Sequence, residues 1–250
     1  MHHKWQQVIV CSLVVGLAAV WLHAAPSGCW IIDRAGRRVI GVALTAEKNG
    51  TLHLQLQTGG PVQTFKLGSY RYAYIPKPVE IARLERLFMA EKNGDVEKQA
   101  PSLFEKYKFL GWGDHVAYLR GGALLRQSKP AEALKAFDQG KPYTVLHGSE
   151  LLQGRVEALI ALDREDDARR DLASLAKSDD HSVTAFVFNA RGKLLAKKGK
   201  KKDAVLEYLK TLLLFKPGDV SAARKEARTN VVALLKEMKD PRAKEFENFK

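Results

Sequence analysis

Cysteine is scarce: the chain of 250 residues carries two, Cys11 and Cys29. Two thiols, one of them inside an apolar run, build neither a disulfide framework nor a cysteine zinc cluster. Histidine is thinly spread. Beyond the first 25 residues it stands at 53, 115, 147 and 181, with no pair at helical metal spacing and no His-Glu-x-x-His. Gly148-Ser149-Glu150 makes no nucleophile elbow, and the Gly-Gly pairs make no phosphate loop. The acids from Asp163 to Asp167 read as favourable charge at a helix start. Catalysis finds no footing in these patterns, so the chain is read as non-enzymatic, with no cofactor expected.

Acid is absent from residues 1–25. His2, His3 and Lys4 precede an apolar run of 15 residues, Val8 to Leu22, and the small Ala24 and Ala25 follow. A basic start, a short apolar centre and a small-residue exit make a secretory signal, while the run falls short of the ~20 residues that span a bilayer. Residues 1–25 are therefore expected to be a signal peptide or an uncleaved anchor, which makes the chain exported or membrane-tethered. Arg34, Arg37 and Arg38 outnumber Lys4 across the run, a bias that would keep the bulk of an uncleaved chain in the cytoplasm. Ser27-Gly28-Cys29 resembles the end of a bacterial lipoprotein processing signal, which implies lipidation at Cys29. Pro26 and the long spacer after Leu22 depart from that pattern.

What the chain does have is apolar and charged material, 46% and 28% of its residues, enough for a packed core. Its net charge of +13 draws anionic partners of any class: nucleic acid, lipid or acidic protein. Between residues 30 and 75 apolar side chains alternate, as in TLHLQLQ and YRYAY, with Asn49-Gly50 and Gly59-Gly60 supplying turn residues. Strands are expected over roughly 30–33, 37–46, 51–57, 61–67 and 70–75. So small a unit must curl to bury one face, and its strand spacing resembles the Sm-like or SH3-like small β-barrels over residues 26–76. Pro76 and Pro78 end it.

From Val79 onward the apolar period becomes helical, and no Gly/Ser linker separates the two parts. Helices are expected over 78–92, 97–108, 114–127, 130–140, 149–162, 165–177, 181–198, 201–215, 219–238 and 241–249. Within them a pattern recurs. Gly121 precedes Ala133 by twelve and Phe137 follows by four; Gly192, Ala204 and Tyr208 repeat this, and Val156, Ala168 and Leu172 give a looser copy. The alanines at 133, 168 and 204 are 35 and 36 residues apart, the length of a helix-turn-helix repeat. Such a hairpin cannot bury its apolar face alone, so neighbours must stack. These residues resemble the tetratricopeptide repeat, which implies an α+β chain with an antiparallel barrel followed by an all-α solenoid over 77–250. Pro101 departs from the pattern and is expected to break or restart its helix.

The resemblance implies a concave groove lined by the first helix of each hairpin, where a partner protein or peptide docks. By register the groove takes Tyr118, Gly122 and Arg126, then Gln153, Glu157 and Ile160, then Asn189, Lys193 and Lys197. Asn189, Lys193 and Lys197 share one stripe of donors, which suits an acidic partner. Lys198, Lys200, Lys201 and Lys202 form a second basic feature around Gly199, open to an anionic membrane surface or to nucleic acid. The leading expectation is a protein-interaction scaffold of the bacterial cell envelope. The alternative is a membrane-anchored or cytoplasmic nucleic-acid-associated protein using the barrel and the lysine turn, a reading that export would count strongly against.

Overall fold

The computed structural model describes residues 28–216, 218–247 and 249. The expected signal or anchor, residues 1–25, lies outside the described residues. Among the described residues no helix is long and apolar enough to cross a membrane.

Six strands come first: β1 (Cys29–Asp33), β2 (Arg38–Gly41), β3 (Ala43–Ala46), β4 (Leu52–Gln55), β5 (Val62–Phe65) and β6 (Tyr70–Tyr74). They form two antiparallel sheets, ordered β2-β1-β6 and β3-β4-β5, rather than the expected closed barrel. The long strand anticipated over 37–46 divides at Val42, leaving one sheet and entering the other. Gly41 permits this crossing. A Cβ there would fall on the Gln55 carbonyl and 2.6 Å from Leu54 Cδ1, so only a bare backbone passes. No ladder joins the outer strands of the two sheets among the described residues. Ile31, Leu44, Leu52, Leu54, Phe65 and Ala73 bury the facing surfaces.

Ten helices follow: α1 (Val79–Met89), α2 (Asn93–Tyr107), α3 (Gly113–Arg126), α4 (Pro130–Gly140), α5 (Gly148–Ala161), α6 (Glu165–Leu175), α7 (His181–Lys197), α8 (Lys201–Leu213), α9 (Ser221–Glu237) and α10 (Ala243–Glu247). Helix α2 runs unbroken through Pro101, against expectation. A mid-helix proline costs about 3 kcal/mol. Burial of Val96, Phe104 and Tyr107 on the same helix, at roughly 1.5–3 kcal/mol for each large side chain, outweighs it.

The helices pair as hairpins with one turn geometry used five times. Glu91, Ser128, Asp163, Gly199 and Lys239 all adopt left-handed φ, between 55° and 71°. The next residue's N–H then donates to a leucine carbonyl five residues back: Leu87, Leu124, Leu159, Leu195 and Leu235 in turn, at 2.9–3.0 Å. This is a Schellman closure, and it satisfies carbonyls that the helix end would leave open.

First helices α1, α3, α5, α7 and α9 pack side by side, whereas second helices wedge behind them and meet one another less. The stack therefore bends toward the first-helix face. Small residues allow the approach. Ala133, Ala168 and Ala204 are fully buried. The Phe137 ring sits in space that a Cβ on Gly121 would invade, and a Cβ on Gly154 of the next hairpin would come within 2.5 Å of it. Tyr208 meets Gly192 in the same manner at 2.8 Å. The sheets join the stack at the α2–α3 corner, where Trp112 Nε1 donates to the Ile75 carbonyl at 3.0 Å.

Candidate binding groove

The first-helix face holds most of the anticipated residues, with their chemistry rearranged. Tyr118 of α3 is half-buried between the rings of Phe88 (6.1 Å) and His115 (6.3 Å). Burial pushes its hydroxyl pKa up, and Glu150 and Glu157 add to the rise. Gln153 on α5 is half-buried, and its amide makes no hydrogen bond among the described residues. Glu157, one turn further, has Lys193 as its nearest cation at 3.8 Å. Its carboxyl pKa is pushed up, first by desolvation and then by Glu226, with Lys193 opposing. The side chain keeps 46% of its surface, so it is reachable from solvent.

Three expected contacts turn out to be ties between hairpins. Arg126 lies 3.9 Å over the Phe88 ring and donates to the Phe88 carbonyl at 2.6 Å. Lys197 repeats that act one unit pair later, donating to the Ile160 carbonyl at 2.7 Å and pairing with Asp163 at 2.5 Å. Each places a cation at the C-terminus of another first helix, where the helix dipole favours it. Asn189 is 1% exposed. Its amide donates to the Ala223 carbonyl (2.9 Å) and Glu226 Oε2 (3.1 Å), and its oxygen accepts from Thr211 Oγ1 (2.8 Å). The stripe Asn189-Lys193-Lys197 is thus not a row of free donors, for Lys193 itself pairs with Glu226 at 2.5 Å.

The lysine turn is likewise partly spent. Lys198 pairs with Glu165 at 2.7 Å and Lys201 with Glu237 at 3.0 Å. Lys200 and Lys202 are exposed and have no acidic partner among the described residues. Cys29 opens β1 with its thiol buried at 7% exposure, near the Val42 carbonyl, and burial raises its pKa.

A cluster invisible to local pattern lies where α3 and α5 begin. His115 Nε2 donates to Glu85 Oε1 at 2.7 Å, and the His147 ring stands 4.1 Å from the His115 ring. His147 Nδ1 approaches Glu150 at 3.6 Å. Buried Asp114 holds the joint between α4 and α5, accepting the backbone N–H groups of Val145, Leu146 and His147 at 2.8–3.2 Å. Desolvation and His147 lower the His115 pKa, whereas the contact with Glu150 raises that of His147. Desolvation works against the Glu85 carboxylate, but Lys77 and His115 together hold its pKa below the ordinary value. His115 and His147 are 32 residues apart, close to one repeat, and that spacing was the available signal.

Along the face, then, run Glu85, Glu150, Glu157 and Glu226, with Phe88 and Tyr118 as an apolar shelf. Glu85 is taken up by Lys77 and His115, and Glu226 by Lys193, so the acceptors with the loosest partners beside the aromatic rings are Glu150, 3.6 Å from His147, and Glu157, 3.8 Å from Lys193. The chain matches no protein-family model, no curated protein and no solved structure.

Proposed function

We propose that the chain is a non-enzymatic scaffold of the bacterial cell envelope. In this reading a tetratricopeptide-type stack grips a segment of a partner protein along its first-helix face, and the N-terminal apolar segment tethers or exports the chain. The observation that carries the reading is the recurrence of one turn and one small-against-aromatic contact, which leaves five first helices side by side on a single face. Repeat stacks of this build offer extended concave surfaces rather than deep pockets.

An acidic partner would need Lys193 and Lys197 free, and both are ion-paired. Glu150 and Glu157 keep only loose partners, His147 at 3.6 Å and Lys193 at 3.8 Å, so the partner segment we propose carries Lys or Arg beside apolar side chains, which Tyr118 and Phe88 can cover. The nucleic-acid alternative loses its closed barrel and half of its lysine turn to the same observations.

The test compares proteins captured from an envelope extract by the full chain with those captured by two variants. Glu150→Lys with Glu157→Lys reverses the face; Glu132→Lys reverses charge on the outer helix α4. The reading requires one captured protein to vanish with the first and persist with the second. Capture that is identical for all three refutes it.

A further inference from the structure

Beyond the uncharged stretch from Trp5 to Ile32, charge thins out at one corner of the sheets. Residues 39–46 and 51–65 contain no Asp, Glu, Lys or Arg, although 28% of the chain is charged. Four apolar side chains stand in the open here: Ile40 is 57% exposed, Val42 53%, Leu56 38% and Val62 56%. The strand register gathers them. Ala43 pairs with Gln55 and Gln55 with Val62, so Val42, Leu56 and Pro61 close the end of the second sheet. The Val42 N–H donates to the Gln55 carbonyl at 2.8 Å, and the Leu56 N–H to the Pro61 carbonyl at 3.3 Å. Ile40 lies opposite Trp30 at the adjoining end of the first sheet.

The chain enters the structure at this same corner. A methyl group placed on Gly28 would lie 3.0 Å from the Gly41 carbonyl and 3.5 Å from Ile40 Cγ2. The apolar run Val8 to Leu22 ends six residues earlier. Fully extended, those residues reach about 20 Å, so a retained run keeps the corner within that distance of the bilayer surface. The basic β1–β2 turn with Arg34 and Arg37 is at the opposite end of the strands from Gly28. Apolar and next to the entry point, the corner has the composition of a surface that gives up water at low cost, and the Arg38 guanidinium beside it, 4.7 Å over the ring of Trp30, which pairs with Ile40, can stay at the level of the headgroups.

We propose that Ile40, Val42, Leu56, Pro61 and Val62 form the face that the sheets rest on a lipid bilayer, at the level of the headgroups. The proposal rests on the reading that residues 1–25 stay as a tether. It sets the orientation of the whole protein: the corner faces the lipid, and the helical stack follows from the α2–α3 joint.

The full chain, with Cys11→Ser and Val42→Cys, is labelled with an environment-sensitive fluorophore and reconstituted into phosphatidylcholine–phosphatidylglycerol vesicles. Buried Cys29 reacts slowly. A second preparation carries the label at Glu132→Cys on α4. We expect quenching by headgroup-region lipid quenchers to be several-fold greater at 42 than at 132, and iodide quenching to be weaker at 42. A chain retained by the vesicles through an alkaline wash, but with position 42 as open to iodide as 132, overturns the face and leaves the tether standing. A label shielded from both quenchers overturns it too, since protein would then cover the corner. Release by the alkaline wash overturns the tether and the face together.

Discussion

Gly121→Ala puts the packing argument at risk in a single methyl group. In an open helix interior, glycine to alanine gains about 1 kcal/mol. At 121 the new Cβ would enter the ring of Phe137, a side chain with no exposed surface. The ring cannot retreat, because Gly154 of the next hairpin backs it so closely that a Cβ there would come within 2.5 Å. Overpacking of this kind costs ~1–3 kcal/mol, so after the propensity gain the variant should lose up to about 2 kcal/mol net. Gly94→Ala is the control, for nothing lies within 4 Å of a Cβ at that helical position, and it should gain up to about 1 kcal/mol. Combining Gly121→Ala with Phe137→Leu should cost less than the two separately, with a coupling of about 1 kcal/mol. Urea titration of the full chain in mild detergent, followed by far-ultraviolet circular dichroism, measures all four. Stabilisation by Gly121→Ala equal to that of Gly94→Ala, or strict additivity with Phe137→Leu, would refute the wedge.

Other expectations follow from the turns and the titratable groups. Ser128 bears the strain of a left-handed backbone at φ 58°, so Ser128→Gly should raise stability by up to about 1 kcal/mol in the same titration. The lowered pKa of His115 means that its contribution to stability is complete above the unfolded value, about 6.5, and is lost as pH falls through the folded value. His115→Gln should therefore lose ground to the parent at pH 7 and recover it toward pH 5; a gap that widens in acid contradicts this. Glu157 has the opposite shift for an acid, raised by desolvation, so its ionised form weighs against folding above its folded pKa. Glu157→Gln should melt higher than the parent at pH 7, with the advantage fading as pH falls through the folded pKa and gone by about pH 4.3.

The helical half was legible because its signals are local. Apolar period, short turns and the alanines at 133, 168 and 204 placed every helix, and those alanines are buried where neighbours touch. Gly199 marks one of the five equivalent turns in the sequence, whereas the other four carry Glu91, Ser128, Asp163 and Lys239 at the left-handed position, where no glycine signals them. Sheet closure was misjudged for a related reason. Residues 37–46 read as one alternating strand, and only the approach of Gln55 to Gly41 reveals the bend. At the first-helix face, register grouped side chains along the helices but could not pair them. Lys193 meets Glu226 and Lys197 meets Asp163 across tens of residues, and Asn189 turns inward to Thr211. Sequence periodicity carries no information about which charge is already neutralised.

The account's central claim is that the first-helix face holds the partner. A photo-crosslinking residue at Gln153, on that face with an unengaged amide, and a second at Ala131, exposed on outer helix α4, test it in intact cells. One discrete adduct from position 153, lost with Glu157→Lys and missing from position 131, is the predicted result. An adduct formed equally from both positions, or from 131 alone, would contradict it.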